Sequence, residues 1–178
     1  MNFIEEYTIP NKYCDQFINY FKKNNEYKVQ GSTGNGVVDL SAKDCKELYF
    51  YNETQESFIL DFFKLLSKHL REYMNKYEMN GVLHSAQSHK IQHYEKSKGY
   101  FKQHYERSDL HNLNRELVYM LYCNDLKNGG TNFPFQKVKT EAKKGKMIIW
   151  PAFFTHPHHG IISKQKEKYI VTGWFNIK

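Results

Sequence analysis

Residues 116–123 and 168–175 are apolar on both of the faces that a strand would present, and this restricts the fold of the 178-residue chain more than any other feature. Alternate side chains of a strand point to opposite sides, so such strands must be covered on both. One cover is supplied earlier in the sequence. Ile59, Phe62, Phe63, Leu66, Leu70, Tyr73, Met74 and Tyr77 follow a single helical stripe, which predicts a long helix lying on a sheet. Asn52 with Gln55 three positions on, a variant of the capping box, predicts its start, and Asn80-Gly81 its end. Cys14, Phe17, Ile18 and Phe21 predict a shorter amphipathic helix before it. Between the two, residues 30–37 read as a glycine-rich, turn-rich connection with no Gly-Lys-Ser/Thr to cradle a phosphate.

From residue 86 the pattern changes to short strands between turn signals, predicted at 88–95, 100–106, 116–123, 146–150, 154–160 and 168–176. Six short strands imply a sandwich or barrel. The expected organisation is therefore one α+β domain over 1–178, with a helical support region at 1–80 and a barrel core at 86–178. No apolar run is long enough to span a bilayer and no secretory leader is visible, so the expectation is a soluble protein of the cytoplasm. Cys14, Cys45 and Cys123 are odd in number and widely spaced, which predicts reduced thiols. The net charge of +7 comes from scattered lysines, a distribution that does not favour nucleic acid as a partner.

Chemistry concentrates at His104-Tyr105-Glu106. If this stretch is extended, imidazole and carboxylate share a face, two-thirds of a 2-His-1-carboxylate metal site with coordination positions left open. A second imidazole is offered by His156, His158 or His159. On a strand His156 and His158 share a face, and periodicity alone does not separate them. Asp109 is a rival carboxylate, but its spacing from His104 gives no shared strand face. The plain alternatives are a solvated strand and a histidine-rich surface loop.

Taken in order, these residues and their neighbours resemble a known family. Tyr94 and Gly99 precede the His-x-carboxylate. Arg115 leads into a strand ending Tyr122-Cys123-Asn124-Asp125, and Gly129-Gly130-Thr131-Asn132-Phe133 follows. Lys144-Gly145 then opens the apolar strand to Trp150, His158-x-Gly160 comes next, and Lys168-Tyr169 runs into Gly173-Trp174-Phe175. The region from Tyr94 to Phe175 resembles the prolyl-4-hydroxylase-like branch of the Fe(II)/2-oxoglutarate-dependent dioxygenases, including short members encoded by phages.

The resemblance implies a double-stranded β-helix, a jelly-roll or cupin-like barrel, with flanking N-terminal helices. It implies iron ligands His104, Glu106 and His158. Lys168, ten positions beyond His158, would bind the far carboxylate of 2-oxoglutarate, with Tyr94 or Thr172 assisting. Fe(II), 2-oxoglutarate and O2 are the implied cofactors, with ascorbate as reductant in vitro. The implied reaction hydroxylates an unactivated C–H bond, with a prolyl residue of a peptide or protein as the favoured substrate, and releases succinate and CO2. For a viral gene the location becomes the host cytoplasm. Glu106 stands where Asp is commoner, one residue is missing after Gly129-Gly130, and the usual Pro and Gly between His158 and Lys168 are absent. Two other classes stand beside this reading: a cupin-like metal-binding protein without 2-oxoglutarate, and a non-catalytic jelly-roll binding module. Oligomeric state has no signature here.

Overall fold

A computed structural model describes residues 1–33 and 36–177; Gly34 and Asn35 of the expected glycine-rich connection, and Lys178, lie outside the described residues. The two helices are α1 (Asn11–Lys23) and α2 (Ser57–Lys76). The strands in chain order are β1 (Glu5–Thr8), β2 (Val29–Gln30), β3 (Lys46–Tyr51), β4 (Leu83–Ser85), β5 (Ser88–Tyr94) and β6 (Arg115–Tyr122). They continue with β7 (Thr131–Phe133), β8 (Val138–Lys139), β9 (Lys146–Pro151), β10 (His159–Gly160) and β11 (Lys168–Ile177). The large sheet runs β1-β9-β6-β11-β5-β3-β2, with β4 also on β11, and a small sheet runs β10-β7-β8. Every pairing is antiparallel. This is the double-stranded β-helix expected from the sequence.

Alternation along β5, β6, β9 and β11 sorts the interior into two layers. Ile91, Leu117, Leu121, Ile149 and Val171 face outward and pack beneath Phe17 and Phe21 of α1 and Ile59, Phe62 and Leu66 of α2. Tyr94, Val118, Ile148, Trp150, Ile170 and Trp174 face the other way, into the barrel, where Phe133 of the small sheet meets Trp150 edge-on at 5.4 Å. Phe17 and Phe62 are fully buried, and each contributes roughly 2–3 kcal/mol of transfer free energy. The two-sided apolar pattern of residues 116–123 and 168–175 is thus explained by one layer on each side.

Four expectations need correction. Residues 1–80 are not purely helical: β1, β2 and β3 belong to the large sheet, β1 against β9 and β3 against β5. Residues 100–106 form no strand; Tyr100 and His104 make only isolated bridges, to Lys43 and His158. Of 154–160 only His159–Gly160 is strand, because turns at Phe153–His156 bend the chain first. Finally, α2 begins at Ser57 without a side-chain cap; Thr54 Oγ1 accepts the Glu56 N–H at 3.2 Å, so the polar stretch before the helix forms a turn. Cys14, Cys45 and Cys123 are free and buried. Among the described residues no helix is long and apolar enough to cross a membrane.

Candidate metal centre

His104 and His158 are brought together by their backbones. His104 N–H donates to His158 O at 3.0 Å and His158 N–H returns to His104 O at 2.8 Å, a bridge that lays two irregular segments side by side. Glu106 N–H, donating to Ala152 O at 3.1 Å, fastens the next turn of chain to the end of β9. Three backbone contacts therefore do what a continuous strand would have done.

The side chains are oriented just as firmly. Each imidazole has a backbone carbonyl 3.0 Å from Nδ1, Lys102 O for His104 and His156 O for His158. A carbonyl can only accept, so Nδ1 carries the proton and Nε2 presents its lone pair. Both Nε2 atoms point at Glu106 Oε1, from 3.4 Å and 3.6 Å, and the three ligand atoms lie within 4.8 Å of one another. Ligand atoms about 2.1 Å from a shared ion and at right angles to one another sit about 3 Å apart, so the set fits a cation after a small contraction. Tyr100 stacks on the His104 ring at 3.6 Å and 12°, fixing its plane. Burial and the neighbouring His158 lower the His104 pKa, which keeps the ring neutral as a ligand must be. Burial works against an ionised Glu106, but positive charge on the imidazole side, a proton on Nε2 or a cation in its place, outweighs it and holds the carboxyl well below its usual range.

The other carboxylate oxygen is clamped. Trp174 Nε1 donates to Glu106 Oε2 at 3.0 Å, and Arg115 Nη1 reaches Oε2 at 3.4 Å and Glu106 O at 3.1 Å. The Arg115 guanidinium lies 3.7 Å from the centroid of the Trp174 ring. Glu106 is thus held by a matched donor pair. The sequence showed Arg115 leading into one apolar strand and Trp174 within another, and neither signal showed that they share one carboxylate.

These groups line a cavity of about 770 Å3 that Lys168 also borders. The Lys168 ammonium donates to Gly129 O at 3.0 Å and Ile161 O at 3.1 Å and lies 5.5 Å from the centroid of the Tyr94 ring. It is 5% exposed, and among the described residues no carboxylate comes within ion-pair distance. Burial pulls its pKa down to about 8. Register places Tyr94 directly beside it, Lys168 pairing with Tyr94 across β11 and β5. Thr172 also reaches the cavity, but its hydroxyl donates to Tyr119 O at 2.9 Å, so it can donate to a ligand only by turning away. The Gly129-Gly130-Thr131 stretch builds the surroundings of Lys168. A Cβ on Gly130 would meet Thr140 O at 1.8 Å, and Gly129 supplies one of the carbonyls on Lys168.

The remaining candidates are committed elsewhere. His156 has Asn2 O 2.8 Å from Nε2 and the Thr155 hydroxyl 2.9 Å from Nδ1, which ties it to the N-terminal segment. The turns that end the expected strand rotate it off the face of His158. Asp109 caps the 3₁₀ turn Leu110–Asn112, accepting from His111 N at 2.9 Å and Asn112 Nδ2 at 2.9 Å. His159 pairs with Asn132 in the small sheet and stands outside the triad.

Solved structures with this architecture include a viral collagen prolyl hydroxylase from Paramecium Bursaria Chlorella virus-1, 20% identical, with a TM-score of 0.74 over 99% of this chain and 97% of the other. A Pseudomonas putida prolyl-4-hydroxylase is 14% identical, with a TM-score of 0.76 over 100% of this chain and 94% of that one. A Trichoplax adhaerens prolyl hydroxylase in complex with a hypoxia inducible factor oxygen degradation domain peptide is also 14% identical, with a TM-score of 0.80 over 99% and 84%. At these identities the likeness is one of fold. No curated protein sequence matches the chain. Residues 89–176, which carry the triad, its carboxylate clamp and Lys168, match the family model of the 2OG-Fe(II) oxygenase superfamily. On that match, with the donor set and fold that accompany it, residues 89–176 form a domain of the 2OG-Fe(II) oxygenase superfamily.

Proposed function

We propose that His104, Glu106 and His158 hold the Fe(II) of this 2-oxoglutarate-dependent hydroxylase, that Lys168 anchors the far carboxylate of 2-oxoglutarate, and that the substrate is a prolyl residue in a peptide or protein. The observation that carries the reading is one cavity with two uncompensated features. Two imidazoles and a carboxylate converge on its wall, and a buried lysine that has no anionic partner among the described residues borders the same space. A cation suits the first and a carboxylate the second, so a dicarboxylate that also binds the metal answers both.

Bound there, Fe(II) with 2-oxoglutarate and O2 supplies the oxidising chemistry that couples release of CO2 and succinate to hydroxylation of a C–H bond. The chain's own residues bind and orient. Lys168 gives the far carboxylate a charge-assisted hydrogen bond, and Tyr94 walls the site beside it. Trp174 and Arg115 hold Glu106 so that Oε1 stays on the imidazole side. The apolar side chains of Ile170 and Met120 line the cavity and restrict water around the reacting atoms. A peptide substrate is supported by the open cavity mouth and by the complex that the Trichoplax protein forms. Three free, buried cysteines suit a reducing compartment, and we place the protein in the cytoplasm, that of the host if the gene is viral.

The test is succinate release from 2-oxoglutarate with Fe(II), O2 and ascorbate, followed by mass spectrometry of a peptide library for a gain of one oxygen on proline. Turnover of 2-oxoglutarate with oxygen appearing on other residues would overturn the prolyl assignment. A purified protein that neither binds iron nor releases succinate would overturn the reading altogether.

A further inference from the structure

On the cavity wall formed by β3 and β5 lies a charge cluster that the proposed chemistry does not use. Glu47 is fully buried, and both of its oxygens are occupied: Oε1 accepts from Lys43 Nζ at 2.5 Å and Gln92 Nε2 at 2.7 Å, and Oε2 accepts from the Tyr49 hydroxyl at 3.0 Å. The Lys90 ammonium stands 3.3 Å from Oε2. One carboxylate therefore serves two lysines, leaving a positive charge. Lys43 is 3% exposed and donates a second bond, to Ser32 O at 3.0 Å. Lys90 has Glu47 as its one ionic partner among the described residues and borders the cavity, with the Tyr49 and Trp174 ring centroids 5.3 Å and 5.5 Å away. Nearby acids offer no compensation: Glu106 belongs to the metal centre, Asp109 caps its turn, and Asp39 is bound to Ser41 on an exposed loop.

We propose that Lys90 is a substrate-recognition residue that takes a carboxylate, so that the preferred substrate carries an acidic residue close in sequence to the one hydroxylated. This rests on the hydroxylase reading above for what is hydroxylated, not for the subsite itself. A cation facing a partly dried cavity with spare N–H donors is stabilised by an arriving anion. An amide in the same place gains only a neutral hydrogen bond, and a lysine is repelled. Trp174 sets the spacing. Its indole holds Glu106 while Lys90 lies against its ring, so the carboxylate would sit beside the metal centre and within a few residues of the reacting carbon.

The test uses labelled proline-containing peptides with Asp, Asn or Lys at each of three positions on either side of the proline. Their binding to protein loaded with Zn(II) and N-oxalylglycine is followed by fluorescence anisotropy. The expected result is one position at which Asp binds about tenfold more tightly than Asn and Lys more weakly than either, with the advantage shrinking in high salt. In Lys90→Met, which keeps the length of the side chain, the Asp-to-Asn ratio falls to within about twofold. No Asp preference at any position in the unaltered protein would overturn the proposal, whether or not the variant folds. So would a preference that survives Lys90→Met, a stronger preference for phosphoserine than for Asp, or a loss of N-oxalylglycine binding in Lys90→Met matching that of Lys168→Ala. Succinate release without peptide reports on the hydroxylase reading independently: if it fails while the Asp preference persists, the subsite stands and the hydroxylase reading falls.

Discussion

Lys168 should make 2-oxoglutarate binding pH-dependent in a range where few other groups titrate. Burial lowers its pKa from the usual 10.5 to about 8, so the empty site disfavours the ammonium by about 3 kcal/mol. A bound carboxylate restores the preference for the charged form and raises the pKa towards its usual value. Between the two pKa values binding therefore takes up a proton, and Kd rises about tenfold per pH unit. At pH 7 about nine-tenths of the empty sites carry the charge and at pH 9 about one-tenth, so Kd should be about tenfold weaker at pH 9. Calorimetry with Zn(II)-loaded protein in buffers of different ionisation enthalpy reads both the affinity and the proton uptake, expected to be close to one proton at pH 9. Lys168→Arg, always charged, should flatten the profile, and Lys168→Ala should weaken 2-oxoglutarate at every pH while sparing metal binding. A Kd constant within about twofold from pH 7 to pH 9, without proton uptake, would refute the assignment of Lys168.

Three further outcomes are expected. Trp174→Phe removes the indole donor from Glu106 Oε2, and metal affinity measured by Mn(II) titration should fall about tenfold or more, with the unfolding midpoint little changed; an affinity within about twofold would show that Arg115 suffices. His89 is buried with Tyr119 and Asn52 on its ring nitrogens, and burial lowers its pKa to about 4. Because the folded pKa lies below the unfolded one, its contribution is intact above about pH 6.5 and is lost as pH falls towards 4, up to about 3 kcal/mol. Urea unfolding at pH 7 and pH 4.5 should show a smaller loss in His89→Phe than in the unaltered protein, and equal losses would contradict it. Gly130→Ala places a Cβ 1.8 Å from Thr140 O and should cost more than about 2 kcal/mol in urea unfolding; an unchanged midpoint would mean that the β7 region moves freely.

What was legible in the sequence was whatever repeats along a regular element. The stripe of α2 and the doubly apolar β6 and β11 gave the two-layered sheet, since periods of 3.6 and 2 report directly on facing. β3 was not legible because the residues facing the cavity, Glu47 and Tyr49, look like the solvent face of a strand until Lys43, Lys90 and Gln92 are found around them. The ligand identities came from family resemblance, and periodicity misled there. His104 and Glu106 converge through a backbone bridge and a turn, not a strand, and His156 shares no face with His158. The clamp on Glu106 joins β6 to β11, a contact between residues far apart in sequence that no local pattern encodes.

The β1–β9 pairing bears on when the protein can acquire its metal. Glu5 lies opposite Ile149, Asn2 holds His156, and His104 finds His158 only across the intervening β6 to β9. Contacts that span so much of the chain form late in folding. A growing polypeptide emerging from the ribosome displays His104 and Glu106 as an open half-site long before their partner has been synthesised. The three-ligand site therefore exists only once the segment that carries His158 has been made and packed beside His104, and an ion held before then would have two of the three ligands at most.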